Sequence, residues 1–105
     1  MSFQEPKNLS EFQALINQDK LVIVDFHATW CGPCKLIAPK LKNFAESYTD
    51  VVFAKVDVDE VPDVAGEYQV RAMPTIMYFK NGQKLDEVVG ANVKSIEDKL
   101  KALTA

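Results

Sequence analysis

Several kinds of residue are scarce in this sequence, and each shortage excludes a class of function. The chain has one histidine and two cysteines among its 105 residues, whereas a zinc site needs about four ligands. It has 12 lysines and arginines against 15 aspartates and glutamates, a net charge of −3, which argues against a nucleic-acid or anionic-membrane partner. No apolar run approaches the roughly 18 residues of a membrane span, and the first residues lack the pattern of a secretory signal. We therefore expect a cytoplasmic protein without a metal site.

The remaining composition is that of one globular domain spanning residues 1–105. Apolar spacing predicts four helices and four strands that largely alternate along the chain. The helices are expected over 9–16, 33–48, 61–68 and 93–103, and the strands over 21–26, 51–56, 75–79 and 84–89, with weaker support for a first strand over 3–7. Asn81-Gly82 predicts a type I′ hairpin between the last two strands. This order predicts an α/β fold in which helices cover both faces of a mixed sheet.

The two cysteines lie in the segment Cys31-Gly32-Pro33-Cys34, between the first long strand and the helix that follows it. A CxxC pair at such a junction is typical of a redox-active dithiol. A cysteine at the start of a helix faces unpaired N–H groups and the positive end of the helix dipole, both of which favour a thiolate. Cys34, one turn further on, is close enough to attack a disulfide formed on Cys31. The sequence therefore favours dithiol–disulfide chemistry.

Three other interpretations of the cysteine pair are less favoured. A zinc site lacks ligands, and a c-type haem site requires histidine directly after the second cysteine, where this chain has Lys35. A purely structural disulfide would close a very small loop and stabilise the fold little. Redox chemistry is the interpretation that we carry forward.

Two ionisable residues interrupt apolar strands. Asp25 lies in the run 21–26, where an unpaired carboxylate would be costly and its pKa should rise. It is either an aspartate at the end of a strand or a buried proton carrier for a neighbouring thiol. Lys55, inside the run 51–56, either pairs with Asp25 or extends to solvent from a sheet edge.

The segment Phe26-His27-Ala28-Thr29-Trp30-Cys31-Gly32-Pro33-Cys34-Lys35 resembles the active-site segment of thioredoxins. The likeness continues in order through Pro39 and the segments 56–60, 71–75, 81–82 and 89–92, so it covers essentially the whole chain. The sequence is most similar to eukaryotic cytosolic members of the family, such as fungal ones. The resemblance implies a thioredoxin fold: three α/β/α layers with a central mixed five-stranded sheet flanked by four helices.

The resemblance also implies a role for individual residues. Cys31 would be the exposed nucleophile, Cys34 the buried resolving thiol and Asp25 its proton acceptor, which makes these three the catalytic set. Gly32, Pro33 and Lys55 would tune the redox behaviour of the pair. Pro74 matches the family's cis-proline, and the backbone of Met73 would pair with an extended client segment. The substrate-binding surface would consist of Trp30, Met73, Pro74, Val89, Gly90 and Ala91.

Cofactor and partners follow from the same resemblance. No cofactor is expected to be bound, because electrons would come from NADPH through thioredoxin reductase. The clients would be disulfide-containing proteins such as peroxiredoxins, methionine sulfoxide reductases and ribonucleotide reductase. No cysteine lies outside the motif, so a dimer linked through an extra cysteine is unavailable and a monomer is expected.

Other functions remain to be weighed against a disulfide reductase. Disulfide isomerases typically carry histidine between the cysteines and enter the secretory pathway, whereas this chain has Pro33 and no signal pattern. A glutaredoxin would be expected to show a different dipeptide and a glutathione site. A binding module, which serves other proteins as a subunit without turnover, is not excluded by the sequence.

One departure from the family pattern is His27, since relatives usually carry an aromatic residue there. Histidine titrates near neutral pH, but the favoured interpretation is a structural histidine with satisfied hydrogen bonds. On that interpretation a His27→Tyr variant keeps nearly all its reductase activity and an unchanged pH–rate profile.

Overall fold

A computed structural model describes residues 3–105 of the chain. It contains all four predicted helices and the four predicted long strands, with ends that differ from the predicted ones by a few residues. The elements in chain order are α1 (Leu9–Ile16), β1 (Val22–His27), α2 (Gly32–Ser47), β2 (Val52–Asp57), α3 (Pro62–Glu67), β3 (Thr75–Lys80), β4 (Gln83–Val89) and α4 (Val93–Thr104). Within residues 3–105, no helix is long and apolar enough to cross a membrane.

The strands form one mixed sheet in the order β2-β1-β3-β4. β1 pairs with β2 in parallel and with β3 in antiparallel orientation, and β3 pairs with β4 in antiparallel orientation. The parallel pair is connected through α2, as expected for a β-α-β unit. Asn81 and Gly82 have φ values of 54° and 79°, the positive values that a type I′ hairpin requires at both central residues. The mixed sheet and the hairpin were both predicted from the sequence.

The expected fifth strand is the part of the fold prediction that was wrong. Only Gln4 makes a bridge, in parallel with Ala54. Its N–H donates to the Phe53 carbonyl and its own carbonyl accepts from the Lys55 N–H, both at 2.9 Å. Two residues further on, Pro6 has no N–H with which to continue such a ladder. The predicted strand over 3–7 is therefore reduced to a single bridge, while residues 1–2 lie outside the described residues.

Side chains on alternate residues of β1 enter two different cores. Val22, Val24 and Phe26 pack on the side of α1 and α3 with the buried side chains of those helices. Ile23 packs on the opposite side, with residues of α2 and α4 such as Leu41 and Ile96. The sheet is thus covered on both faces, which confirms the three-layer prediction. Because successive strand residues alternate between faces, Asp25 projects toward α2, the helix that begins at the cysteine motif.

Candidate redox site

Cys31 is the residue that caps the N-terminus of α2. Its backbone is extended, with φ −88° and ψ 109°, and its sulfur accepts the N–H of Cys34 at 3.1 Å. Pro33 lies in the first turn, where a missing N–H removes no helical hydrogen bond. The two cysteines form a disulfide, and their Cα atoms are 5.3 Å apart. A backbone donor and the helix N-terminus therefore both favour negative charge on the sulfur of Cys31 once the disulfide is reduced.

The expectation that Cys31 is exposed is wrong for this disulfide form. Cys31 is 4% exposed and Cys34 is 5% exposed, so the two differ little. Both pack in a small cluster with Ala28, against Val58 and Met73. The Cys31 sulfur lies 3.6 Å from the Met73 carbonyl oxygen, a packing contact here because a disulfide sulfur carries no proton. What distinguishes the two cysteines is their position on the helix, since among residues 3–105 only the sulfur of Cys31 accepts a backbone N–H.

The residues expected to bind clients converge on the end of the sheet beside the disulfide. The Met73–Pro74 peptide bond is cis, as the resemblance implied. The Pro74 carbonyl accepts the N–H of Gly90 at 2.8 Å. Gly90 has a φ of 100°, a backbone conformation that residues other than glycine rarely adopt. Val89 is 57% exposed and pairs with Thr75, directly after Pro74. An exposed apolar surface thus adjoins the disulfide; its outer residues are Trp30, Gly32, Pro33, Val89 and Ala91.

Asp59 is a site residue that the sequence analysis missed. Trp30 is 65% exposed, and its indole N–H donates to an oxygen of the Asp59 carboxylate at 2.9 Å. The N–H of Asp59 in turn donates to the side chain of Asp57, also at 2.9 Å. This chain of hydrogen bonds fixes the ring of Trp30 beside the disulfide. Asp59 belongs to the segment 56–60 that resembles the family, but nothing in the sequence links it to Trp30.

Asp25 is a buried carboxyl group within the body of β1, which rules out the interpretation of an aspartate at a strand end. It is 7% exposed, and its Oδ1 atom has no hydrogen-bond partner among residues 3–105. Burial raises its pKa from 3.8 to about 7, and the nearby charge of Lys55 opposes this rise. The carboxyl group therefore changes charge near neutral pH.

Lys55 lies directly opposite Asp25 in the parallel register of β1 and β2. Its side chain is half-buried, and the salt bridges among residues 3–105 do not include a contact between these two residues within 4.0 Å. Of the two interpretations offered for Lys55, a close ion pair is thus wrong. Its ammonium group acts on the carboxyl group of Asp25 through its charge, at longer range.

A cavity of about 170 Å³ connects Asp25 with Cys34 of the pair. Asp25, Cys34, His27 and Lys55 all line it, together with Ala28, Thr29, Lys35 and Ala38. His27 is half-buried. Burial lowers the pKa of its ring, and the charge of Asp57 opposes this decrease. No hydrogen bond within residues 3–105 contributes to this pKa. The interpretation of His27 as a hydrogen-bonded structural histidine is therefore not supported within residues 3–105.

The described residues offer no alternative metal chemistry. Within residues 3–105, no three histidine, cysteine, aspartate or glutamate side chains lie close enough together to hold a metal ion. What they do hold is a disulfide at the N-terminus of a helix, a buried carboxyl group reached from it through a cavity, and an exposed apolar surface around it. This combination of fold and site defines a thiol–disulfide oxidoreductase.

Comparison with known proteins extends this assignment. A family model described as Thioredoxin matches residues 4–102. Thioredoxin-1 of Schizosaccharomyces pombe is 54% identical over 93 residues, which cover 89% of this chain and 90% of that protein. The solved structure of Malassezia sympodialis thioredoxin has a TM-score of 0.93 at 42% identity and covers 99% of this chain and 92% of its own. A chain from a structural study of thiol resolution in a yeast mitochondrial 1-Cys peroxiredoxin via glutathione/thioredoxin systems has a TM-score of 0.92 at 44% identity, covering 96% and 95%.

The chain belongs to the thioredoxin family. It is a protein-disulfide reductase whose redox-active pair is Cys31 and Cys34. The family carries no bound cofactor.

An Asp25→Asn variant is expected to be more stable than the wild type by an amount that depends on pH. Because the folded-state pKa of Asp25 is about 7 rather than 3.8, the folded protein holds a proton that the unfolded chain releases, and wild-type stability falls as pH rises between these values. The gain in the variant should be small below about pH 4, grow up to about pH 7 and then level off. At about 1.36 kcal/mol per pKa unit, its plateau is at most about 4 kcal/mol. Urea unfolding at a series of pH values measures it.

Asp19→Asn is the matched control, because Asp19 is exposed and its substitution removes the same charge from the surface. Its free energy of unfolding should stay within about 0.5 kcal/mol of the wild type across the pH range. A gain in Asp25→Asn that is the same at about pH 4 and about pH 8 would contradict the burial argument.

Proposed function

We propose that Cys31 attacks the client disulfide, that Cys34 resolves the resulting mixed disulfide, and that Asp25 accepts the proton of Cys34. The observation that carries this proposal is the N–H of Cys34 pointing at the sulfur of Cys31 at 3.1 Å. It stabilises a thiolate on one cysteine only. The cavity shared by Cys34 and Asp25 supports the remaining step, because a proton can pass through it from the thiol to the carboxylate.

The reaction then proceeds in two exchanges. The Cys31 thiolate forms a bond to one sulfur of the client disulfide, and the other client sulfur leaves as a thiolate. Cys34 next gives its proton to Asp25, directly or through water, and its thiolate attacks the Cys31 sulfur. The bond between Cys31 and the client breaks, and the second client thiolate leaves. Two electrons have passed to the client, and Cys31 and Cys34 are joined by a disulfide.

Gly32, Pro33 and Lys55 tune this exchange in our proposal. Gly32 and Pro33 form the first turn of α2 between the cysteines, so they set the distance over which Cys34 attacks. The charge of Lys55 lowers the pKa of Asp25 against the effect of burial. It thereby keeps a larger fraction of the carboxyl group ionised at neutral pH, which is the form that accepts a proton.

Client binding is proposed at the exposed apolar surface beside the disulfide and at the less exposed residues that adjoin it. The binding residues would be Trp30, Val89 and Ala91, which are exposed, Met73 and Gly90, which are half-buried, and Pro74, which is buried. The contact between the Met73 carbonyl and Cys31 supports it, because an extended client segment paired with the backbone at Met73 would lie beside the reacting sulfur. The exposure of Trp30 and Val89 supports an apolar contact on either side.

We further propose that the protein acts as a single-domain monomer in the cytoplasm and draws electrons from NADPH through thioredoxin reductase. Its clients would be peroxiredoxins, methionine sulfoxide reductases and ribonucleotide reductase. The likeness to a chain studied with a peroxiredoxin supports the first of these clients. That study concerns a mitochondrial peroxiredoxin, so fractionation of cells into cytosol and mitochondria tests the location.

A Cys34→Ser variant should trap clients, because it keeps the nucleophile and lacks the resolving thiol. Incubated with insulin, it is expected to form a covalent adduct that mass spectrometry detects and dithiothreitol releases. The wild type should instead turn insulin over while thioredoxin reductase oxidises NADPH. Cys31→Ser is the matched control and should form no adduct. Trapping by Cys31→Ser but not by Cys34→Ser would reverse the two roles, and absence of wild-type turnover would refute the proposed reductase system.

Asp25→Asn should slow resolution more than it slows the first attack, because asparagine cannot take up the proton of Cys34. A positioned general base contributes about 100-fold or more, and a loss of at least about 10-fold in the resolution rate is expected near pH 7. Stopped-flow mixing of the reduced protein with a disulfide client separates the two steps. Equal slowing of both steps would indicate that Asp25 is structural.

A further inference from the structure

His27 is a titratable side chain in the cavity beside Asp25 that the proposed mechanism leaves unused. The two residues are separated by one position on β1, so their side chains project from the same face of the sheet. At about 3.3 Å of rise per strand residue, their backbone positions are about 7 Å apart. Both line the cavity of about 170 Å³ that also reaches Cys34. A water molecule occupies about 30 Å³ of liquid, so the cavity has room for waters between carboxyl group and imidazole.

The position of His27 at the surface of the protein completes this path. Asp25 is buried, whereas His27 is half-buried and therefore contacts both the cavity and solvent. No hydrogen bond within residues 3–105 contributes to the pKa of its ring. Its nitrogens are therefore not engaged by a protein partner within residues 3–105.

Apart from Cys34, which supplies the proton, the other titratable groups of the cavity wall are unsuited to take a proton from Asp25. They are Lys35 and Lys55, and a charged ammonium group has three donors and no acceptor. Glu5 reaches Asp25 from a second cavity of about 340 Å³, but Cys34 does not line that cavity.

Burial is the main influence on the pKa of His27 and favours the neutral form of its ring. Burial and the charge of Lys55 lower its pKa, and three carboxylates, those of Asp57, Glu60 and Glu5, oppose them without reversing the shift. Lys35 of α2 faces the same cavity with a further positive charge. A neutral imidazole has one unprotonated nitrogen and can accept a proton.

We propose that His27 passes the proton of Asp25 to solvent and so returns the buried carboxyl group to its ionised form. This inference rests on the proposed role of Asp25 as the proton acceptor. The protonated Asp25 carboxyl group gives its proton through water to the neutral imidazole, which leaves a carboxylate and an imidazolium. The imidazolium then releases the proton to solvent water or buffer. No group is oxidised or reduced in this step. His27 acts through Asp25 and does not touch the reacting sulfurs.

The relay matters most where Asp25 is largely protonated before the reaction. With a pKa of about 7, the carboxyl group must lose a proton in many molecules at and below neutral pH before it can accept one from Cys34. Above about pH 8 it is already ionised in most molecules. Loss of the relay should therefore slow resolution below neutral pH and have little effect at alkaline pH.

The test is the resolution rate of the full-length reduced protein with a disulfide client, measured by stopped flow over about pH 6 to about pH 9. His27→Tyr, which keeps an aromatic ring, is expected to slow resolution about 3- to 10-fold near pH 6.5 and less than 2-fold near pH 8.5, an effect smaller than that of a direct general base. This result replaces the unchanged profile that a purely structural histidine would give. Asp19→Asn, which removes an exposed carboxylate outside this cavity, is the matched control and should leave the profile unchanged. An unchanged profile in His27→Tyr would overturn the proposal.

Rescue by added imidazole separates the relay from a packing role. His27→Ala opens space at the mouth of the cavity, and millimolar imidazole should restore its resolution rate at pH 6.5 while leaving the wild-type rate unchanged. A packing defect would not respond to a soluble base, so slowing without rescue would also overturn the proposal. Circular dichroism and urea unfolding identify variants that are folded and thus suitable for comparison.

Asp25→Asn distinguishes failure of this inference from failure of the mechanism on which it rests. If Asp25→Asn slows resolution but His27→Tyr does not, the relay alone is refuted. If Asp25→Asn leaves resolution unchanged, the role of Asp25 fails and the relay fails with it. In the Asp25→Asn background, His27→Tyr should cause no further slowing, because there is no proton left to relay; additional slowing would refute the relay.

Discussion

The hydrogen bond from the Cys34 N–H to the Cys31 sulfur is the interaction on which the site depends. It requires that the chain leave β1, turn within four residues and begin a helix at Gly32. An N-cap residue normally accepts such a bond with a side-chain oxygen; here the acceptor is the redox-active sulfur itself. Helix formation and activation of one cysteine are therefore the same local event. The disulfide distinguishes its two sulfurs by helix position, although both are equally buried.

Asp25 shows what this arrangement costs the rest of the fold. The face of β1 that packs against α2 is apolar at Ile23, and a carboxyl group two residues later cannot be solvated there. The opposite charge of Lys55 is placed across from Asp25 by strand register but forms no close ion pair with it. A closer pair would hold Asp25 ionised and leave it a poor proton acceptor. The stability lost to burial and the pKa near 7 are thus two consequences of one placement.

The sequence predicted what local patterns determine, and failed where distant residues decide. Helix and strand positions followed from apolar periodicity, and the hairpin followed from Asn81-Gly82. The fifth strand failed because pairing with one neighbour needs an N–H donor at every second residue, and Pro6, two residues after Gln4, has none. The burial of Cys31 depends on Met73, 42 residues away, and the bond from Trp30 to Asp59 joins residues 29 apart. The cis bond before Pro74 came from family resemblance alone, since nothing local in the sequence required it.

The alternation of a β-strand explains why one short segment can hold the site's proton chemistry. Residues 23, 25 and 27 share a face of β1, and they pass from full burial to half-burial along the strand. The first packs in the core, the second holds a carboxyl group out of water, and the third reaches the surface. An aromatic residue at position 27 would end this series with a hydrophobic wall, leaving water as the route by which the Asp25 proton departs. Histidine at that position supplies an imidazole where the buried carboxyl group meets solvent, on the same face and one strand repeat away.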